Sequence, residues 1–146
     1  MYRALRQHRY SAILCDIDGT LALRGDRSPH DHDSSVEDAP NAPIVALCNL
    51  LEEDGENFIL ISGRDEQYRD VTNYWLYTHG ILQGSLALFM RSRGDNRPDE
   101  VVKREIYETQ IKPFVDVKFV LDDRNKVVKM WRELGLTCLQ VAEGDF

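Results

Sequence analysis

Cysteine is scarce in this chain: Cys15, Cys48 and Cys138 are the only three. Each falls inside a predicted strand or helix, so they read as buried, mutually distant, reduced thiols rather than a disulfide framework. That suits a cytoplasmic protein. Long apolar runs are missing as well. None approaches the roughly 20 residues that a membrane helix needs, so no membrane partner is expected. The opening nine residues, Met1 to Arg9, are basic but lack an apolar stretch and a cleavage site, and are not read as a signal peptide. Positive charge is in deficit, with 18 Lys and Arg against 25 Asp and Glu for a net charge of −7. This argues against a long electrostatic track for duplex nucleic acid but permits a local basic site for one phosphate or one strand end. No Gly-x-x-x-x-Gly-Lys-Ser/Thr segment occurs, which excludes kinase chemistry of the P-loop type. There is no internal repeat and no linker, and 146 residues make one domain, 1–146, with a single sizeable core.

What is present centres on Ile13 to Leu21, Ile-Leu-Cys-Asp-Ile-Asp-Gly-Thr-Leu. An apolar run from Ala12 to Cys15 reads as a strand buried on both faces. It delivers Asp16 and Asp18 to the strand exit, where open α/β sheets place their active sites. Gly19 supplies the backbone freedom of a sharp exit. Two carboxylates this close need a metal ion, basic partners or a shared proton. In that pattern Asp16 can attack a phosphorus atom while Asp18 handles the proton of the leaving group.

Taken in order, strands are predicted at Tyr10–Cys15, Phe58–Ile61, Leu86–Met90, Val117–Leu121 and Thr137–Val141. Helices are predicted from an Asn41 cap to Asp54, through Tyr68 to Gly80, from an Asp99 cap to about Gln110, and over Arg124–Leu134. Between Leu21 and Pro40 nothing is periodic, and that segment reads as a solvated loop or flap. Its Pro29-His30-Asp31-His32-Asp33 lacks the rigid element and spacing of a zinc site, and is read as a mobile acidic loop. Strands alternating with helices give an α/β fold, a three-layer sandwich with a mainly parallel sheet.

Polar groups gather at the ends of three of these strands: Asp16 and Asp18, then Ser62-Gly63-Arg64, then Asp122-Asp123. In a parallel sheet those ends share one edge. The donors are all oxygen, so Mg²⁺ is the expected ion, held by Asp16, Asp122 and the Asp18 carbonyl, with Asp123 one step removed. Ser62, Gly63 and Arg64 are expected to hold phosphate oxygens, and Lys103 to supply positive charge to the phosphoryl group.

In their order and spacing, Asp16-x-Asp18-Gly-Thr, Ser62-Gly-Arg64, Lys103 and Asp122-Asp123 resemble the four motifs of the haloacid dehalogenase superfamily. From Arg97-Pro-Asp-Glu-Val-Val-Lys103 through Leu121-Asp-Asp-Arg124 to Gln140–Phe146, the chain resembles the 3′-phosphatase domain of phage-type polynucleotide kinase/phosphatases. The resemblance covers about Ser11 to the end. It implies a haloacid dehalogenase-like Rossmannoid fold, Mg²⁺ dependence and removal of 3′-phosphates from RNA or DNA ends through an aspartyl-phosphate. It also implies substrate roles for Arg27, with Arg24 competing for the match, and for Asp99. A separate or fused kinase or ligase is the implied partner. The chain available for a cap is short, so an open site is expected, with Arg91, Arg93 and Arg97 lying along polymer phosphates. The rival readings are a nucleotidase or small-molecule phosphomonoesterase on the same chemistry, and an idle phosphate-binding module.

Overall fold

The computed structural model describes residues 9–146; the basic lead-in before them lies outside the described residues. In chain order the elements are β1 (Tyr10–Cys15), β2 (Ala22–Leu23), β3 (Ala39–Pro40), α1 (Ala42–Glu53), β4 (Phe58–Asp65), α2 (Arg69–Thr78), β5 (Ala87–Arg91), α3 (Asp99–Ile106), β6 (Val115–Asp122), α4 (Asn125–Glu133) and β7 (Cys138–Gln140). Five strands form one parallel sheet in the order β5-β4-β1-β6-β7, and β2 pairs antiparallel with β3 in a separate ribbon. Among the described residues no helix is long and apolar enough to cross a membrane.

β1 is central because its sequence can be buried on both faces. Ala12 and Leu14 pack into the layer of α3 and α4 with Val102, Ile106, Val127 and Trp131. Ile13 and Cys15 pack the other way, with Cys48, Trp75 and Leu76 of α1 and α2. This is the two-residue period of a strand applied to a continuous apolar run. Fully burying each Ile or Leu contributes about 1.5–3 kcal/mol, so the sheet is anchored at the strand that leads into Asp16. The result is the expected three-layer α/β sandwich. Cys15 and Cys48 share one core cluster; burial, reinforced by Cys48, raises the Cys15 thiol well above its ordinary value, while Cys15 lowers that of Cys48. They are neighbours, contrary to the mutually distant arrangement expected.

Other departures shape the site. β4 runs on through Ser62-Gly63-Arg64, because pairing with β5 resumes at Asp65 and Arg91 after a register shift. The motif therefore rides on a strand end rather than a following turn. The segment expected to be a solvated, mobile loop carries the β2–β3 ribbon and a 3-10 turn, Asp33–Glu37. Ser35 and Asp38 within it are buried, and the Trp75 indole donates to the Asp38 carbonyl at 2.8 Å. Asn41 does not cap α1 with its side chain, which instead donates to the Thr20 carbonyl at 3.0 Å and ties α1 to the first motif. Pro98 holds the cap position of α3, leaving Asp99 free to face two arginines. α3 then continues as one π-helical turn, Tyr107–Ile111.

Candidate active site

The first motif works by hydrogen bonding and by shape. Asp16 is buried, and its N–H donates to the Leu121 carbonyl at 3.0 Å, which fixes the backbone against β6. Thr20 Oγ1 donates to Asp16 Oδ2 at 3.0 Å, while Lys103 Nζ donates to Oδ1 at 2.7 Å. The carboxylate is thus held from two sides. Gly19 has φ +81, and a Cβ there would collide with the Asp123 carboxylate, so this position excludes side chains on both counts.

Asp122 and Asp123 arrive from the end of β6. Lys103 Nζ also donates to Asp122 Oδ2 at 3.0 Å, and the Trp131 indole donates to that same oxygen at 3.2 Å. One carboxylate oxygen from each of Asp16, Asp122 and Asp123 lies within 4.8 Å of the others, and all three residues are buried. A single Lys103 cannot neutralise three carboxylates. Burial drives the Asp16 carboxyl well above the ordinary range although Lys103 opposes it, and burial together with Asp122 pushes Asp123 up to about 6. Lys103 resists its own desolvation and is raised by Asp122 and Asp16. The cluster therefore favours either a proton or a hard divalent cation, and its donors are all oxygen. Asp123 enters it directly rather than standing one step removed as expected. The Asp18 carboxylate does not, although its backbone lies on the same exit.

Asp18 turns instead to the guanidinium groups. Arg64 Nε and Nη2 donate to its two oxygens at 2.8 and 2.6 Å, a bidentate pair. Burial works to raise the Asp18 carboxyl, but Arg64 holds it below the ordinary range. Arg64 is itself buried and also donates to Ser35 Oγ at 3.2 Å and Thr72 Oγ1 at 2.9 Å. Arg27 grips Asp38 at 2.7 and 2.8 Å and reaches Asp18 at 3.5 Å. Arg24 lines the same cavity but makes none of these ion pairs. The cavity measures about 910 Å³ and carries Asp16, Asp18, Gly63, Arg64, Asp99 and Lys103 on its walls. Ser62 is not on its surface: it is fully buried, and its hydroxyl accepts the Arg64 N–H at 3.1 Å.

The basic loop after β5 differs from its reading as a phosphate track. Arg91 Nε donates to the Gly63 carbonyl at 2.7 Å, Nη1 to the carbonyls of Asp95 and Arg97, and Nη2 to Asp99. Arg124 Nη1 takes the other Asp99 oxygen at 3.0 Å. Arg97 is paired with Asp95 and Glu105. Arg91 is thus committed within the protein, and Arg97, though exposed, is engaged in ion pairs at the surface. Asp99 in turn roofs Gly63, where a Cβ would stand 2.6 Å from its Oδ1. His30 and His32 line the cavity but lie outside the carboxylate cluster; the His32 ring packs 5.1 Å from that of Tyr68.

Asp38, Thr72 and Trp131 are given no site role from sequence, and Arg124 enters only as the last residue of the Leu121-Asp-Asp-Arg124 motif. A lone acid in an acidic loop and a threonine on a helix carry no local signal, and a tryptophan within a helix does not announce which carboxylate its indole will meet.

A family model of the polynucleotide kinase PNKP phosphatase domain matches residues 10–146. The chain belongs to that family. This phosphatase is 33% identical over 127 residues to a protein described as a bifunctional polynucleotide kinase/RNA ligase of Autographa californica nuclear polyhedrosis virus, covering 86% of this chain and 18% of that protein. Two solved structures, of a Pnkp1/Rnl/Hen1 complex and of the Pnkp1/Rnl/Hen1 RNA repair complex, contain a chain 38% and 37% identical. Each superimposes with a TM-score of 0.90, covering 96% and 100% of this chain and 48% and 47% of the other. The phosphatase thus spans about half the length of those structural relatives and less of the viral one. A class C acid phosphatase from Bacillus anthracis, 16% identical with a TM-score of 0.62 over 81% of this chain and 54% of the other, shares the fold.

Proposed function

We propose that this phosphatase removes 3′-phosphates from RNA or DNA ends, with Mg²⁺ and a phosphorylated Asp16 as intermediate. The observation that carries the reading is the division of labour between two aspartates two residues apart. Asp16 is locked by Lys103 and Thr20 within the carboxylate cluster, while Asp18 faces Arg64 and Arg27. An Asp16 oxygen attacks phosphorus, the bond from phosphorus to the ribose oxygen breaks, and Asp18 gives that oxygen a proton. Asp18 then takes a proton from water, whose oxygen attacks phosphorus and frees Asp16.

As it stands, Asp18 is paired with Arg64 and poorly suited to carry a proton. A dianionic phosphate offers Arg64 and Arg27 a competing anion. Once they turn to it, Asp18 recovers ordinary proton affinity beside the leaving oxygen. Gly63 has no side chain, which lets the Asp99 carboxylate close over it beside Arg64. Mg²⁺ fits the three clustered carboxylates, aided by the Asp18 carbonyl, and would polarise a phosphoryl oxygen and offset the negative charge that accumulates there.

The names of the viral relative and of the RNA repair complex support a partner with kinase or ligase activity, fused or separate. A nucleotidase would use the same chemistry. Phosphate release from matched 3′- and 5′-phosphorylated oligonucleotides and a 3′-mononucleotide separates the readings. The 3′-oligonucleotide should be hydrolysed fastest. Faster release from the 5′ isomer would overturn the assignment of the 3′ end, and a strong preference for the mononucleotide would favour the nucleotidase.

A further inference from the structure

Among the described residues, two of the large exposed hydrophobic side chains line the active-site cavity: Leu23 at 46% exposure and Phe146 at 62%. Exposed apolar groups on the wall of a highly charged cavity do nothing for a phosphate. They suit a flat apolar ligand attached to it. Phe146 is also positioned firmly. The Arg124 guanidinium lies 5.1 Å from its ring centroid, and Arg124 Nε donates to the Phe146 backbone oxygen at 2.7 Å. The segment leading to it is seated closely on the sheet end. The Val141 N–H donates to the Asp122 carbonyl at 3.1 Å, and the Asn125 N–H donates to the Gly144 carbonyl at 2.9 Å. A Cβ at Gly144 would collide with the Asp123 carbonyl, so only glycine lets the segment cross there.

Arg124 links this ring to the phosphate side of the cavity, since its Nη1 holds Asp99, which roofs Gly63. The guanidinium lies over the ring, and the side chain keeps 62% of its surface exposed.

We propose that Phe146, backed by Arg124 and lining the same cavity as Leu23, is a stacking platform for the nucleobase of the terminal nucleotide whose 3′-phosphate is removed. This rests on the 3′-phosphatase reading and extends it to a base subsite. A π-face common to all four bases makes such a platform tolerant of sequence, and a stacked base supplies the affinity that an acidic protein cannot draw from long-range charge. Cation–π contact with Arg124 orients the ring before the substrate arrives.

The test compares a 3′-phosphorylated oligonucleotide with the same oligonucleotide whose terminal nucleotide is abasic. In the wild type, kcat/KM should favour the base-bearing end by roughly 5- to 150-fold, the range expected for one base on one aromatic. In Phe146→Ala that ratio should fall to about one, mainly through KM, and Phe146→Trp should keep it. Independently of turnover, a 3′-terminal 2-aminopurine should be quenched on binding Asp16→Asn and not on binding Asp16→Asn/Phe146→Ala. A wild type indifferent to the terminal base, or a Phe146→Ala ratio equal to wild type, would overturn the platform. Hydrolysis of p-nitrophenyl phosphate with none of the oligonucleotide would instead refute the 3′-phosphatase reading, and the 2-aminopurine signal would still decide the base subsite.

Discussion

Replacing Arg91 with alanine separates two accounts of the loop after β5. A residue that lies along polymer phosphates would cost binding of long substrates and nothing else. The observed Arg91 instead donates to the carbonyls of Gly63, Asp95 and Arg97 and to the Asp99 carboxylate, and its side chain is 13% exposed. Its removal strips four acceptors of their donor and leaves Asp99 to Arg124 alone. Hydrogen bonds to a charged group contribute about 1.5–3 kcal/mol each. With water replacing part of the loss at this partly open site, a net destabilisation of about 3 kcal/mol is reasonable. For a domain of this size that corresponds to a fall in Tm of roughly 10 °C. Without Arg91, Asp99 no longer roofs Gly63 and the phosphate side of the cavity slackens. kcat/KM should then fall by about 10²-fold, equally on a 3′-mononucleotide and on an oligonucleotide. Arg91→Lys should recover little, since one ammonium cannot span a carbonyl and a carboxylate on opposite sides. The assays are a thermal melt and steady-state kinetics on the two substrates. An unchanged Tm with a loss confined to the oligonucleotide would refute this and restore the track.

Asp16→Asn should abolish phosphate release in a folded protein, and Asp18→Asn should lower it by about 10²–10⁴-fold; near-normal turnover by Asp16→Asn would exclude a covalent intermediate. Chelation should silence the enzyme and Mg²⁺ restore it, with Ca²⁺ a poor substitute because its longer, looser coordination misplaces the phosphoryl oxygen. The Asp123 carboxyl is raised to about 6 from its ordinary 3.8, so the unfolded chain binds fewer protons between those values. Stability of the metal-free protein should therefore fall as pH rises from about 4 to 6, and saturating Mg²⁺ should lift Tm more at pH 7.5 than at pH 4.5. A Tm indifferent to Mg²⁺ at pH 7.5 would count against the metal. Gly19→Ala, strained at φ +81 and driven against Asp123, should lower both Tm and activity; wild-type activity would mean that Asp123 is dispensable.

The parts of the site legible in the sequence are those whose chemistry is local. An apolar run that ends in Asp16-x-Asp18-Gly-Thr states its own geometry: a strand buried on both faces, a glycine turn and two carboxylates at the exit. The same logic places Ser62-Gly63-Arg64 and Asp122-Asp123 on one sheet edge. What could not be read is which charges meet. Arg64 and Lys103 both look like phosphate ligands, yet Arg64 pairs with Asp18, and Lys103 is shared between Asp16 and Asp122. That pairing is set by which face of the sheet each helix covers, and α3, carrying Lys103, lies on the face away from α1 and α2. Asp38 was illegible for a related reason. It is one acid among several in an aperiodic segment, and it joins the site only because Trp75 on α2 pins its carbonyl and Arg27 closes on its carboxylate. The arginines after β5 mark the opposite error. Three positive charges in a turn-rich loop read as a surface for a polyanion, whereas two of them satisfy carbonyls and carboxylates of the protein itself. A net-acidic chain has acids to spare, and its arginines find them at home. Arg91 is thereby withdrawn from any track for a polyanion, and Arg97 meets one only in competition with Asp95 and Glu105.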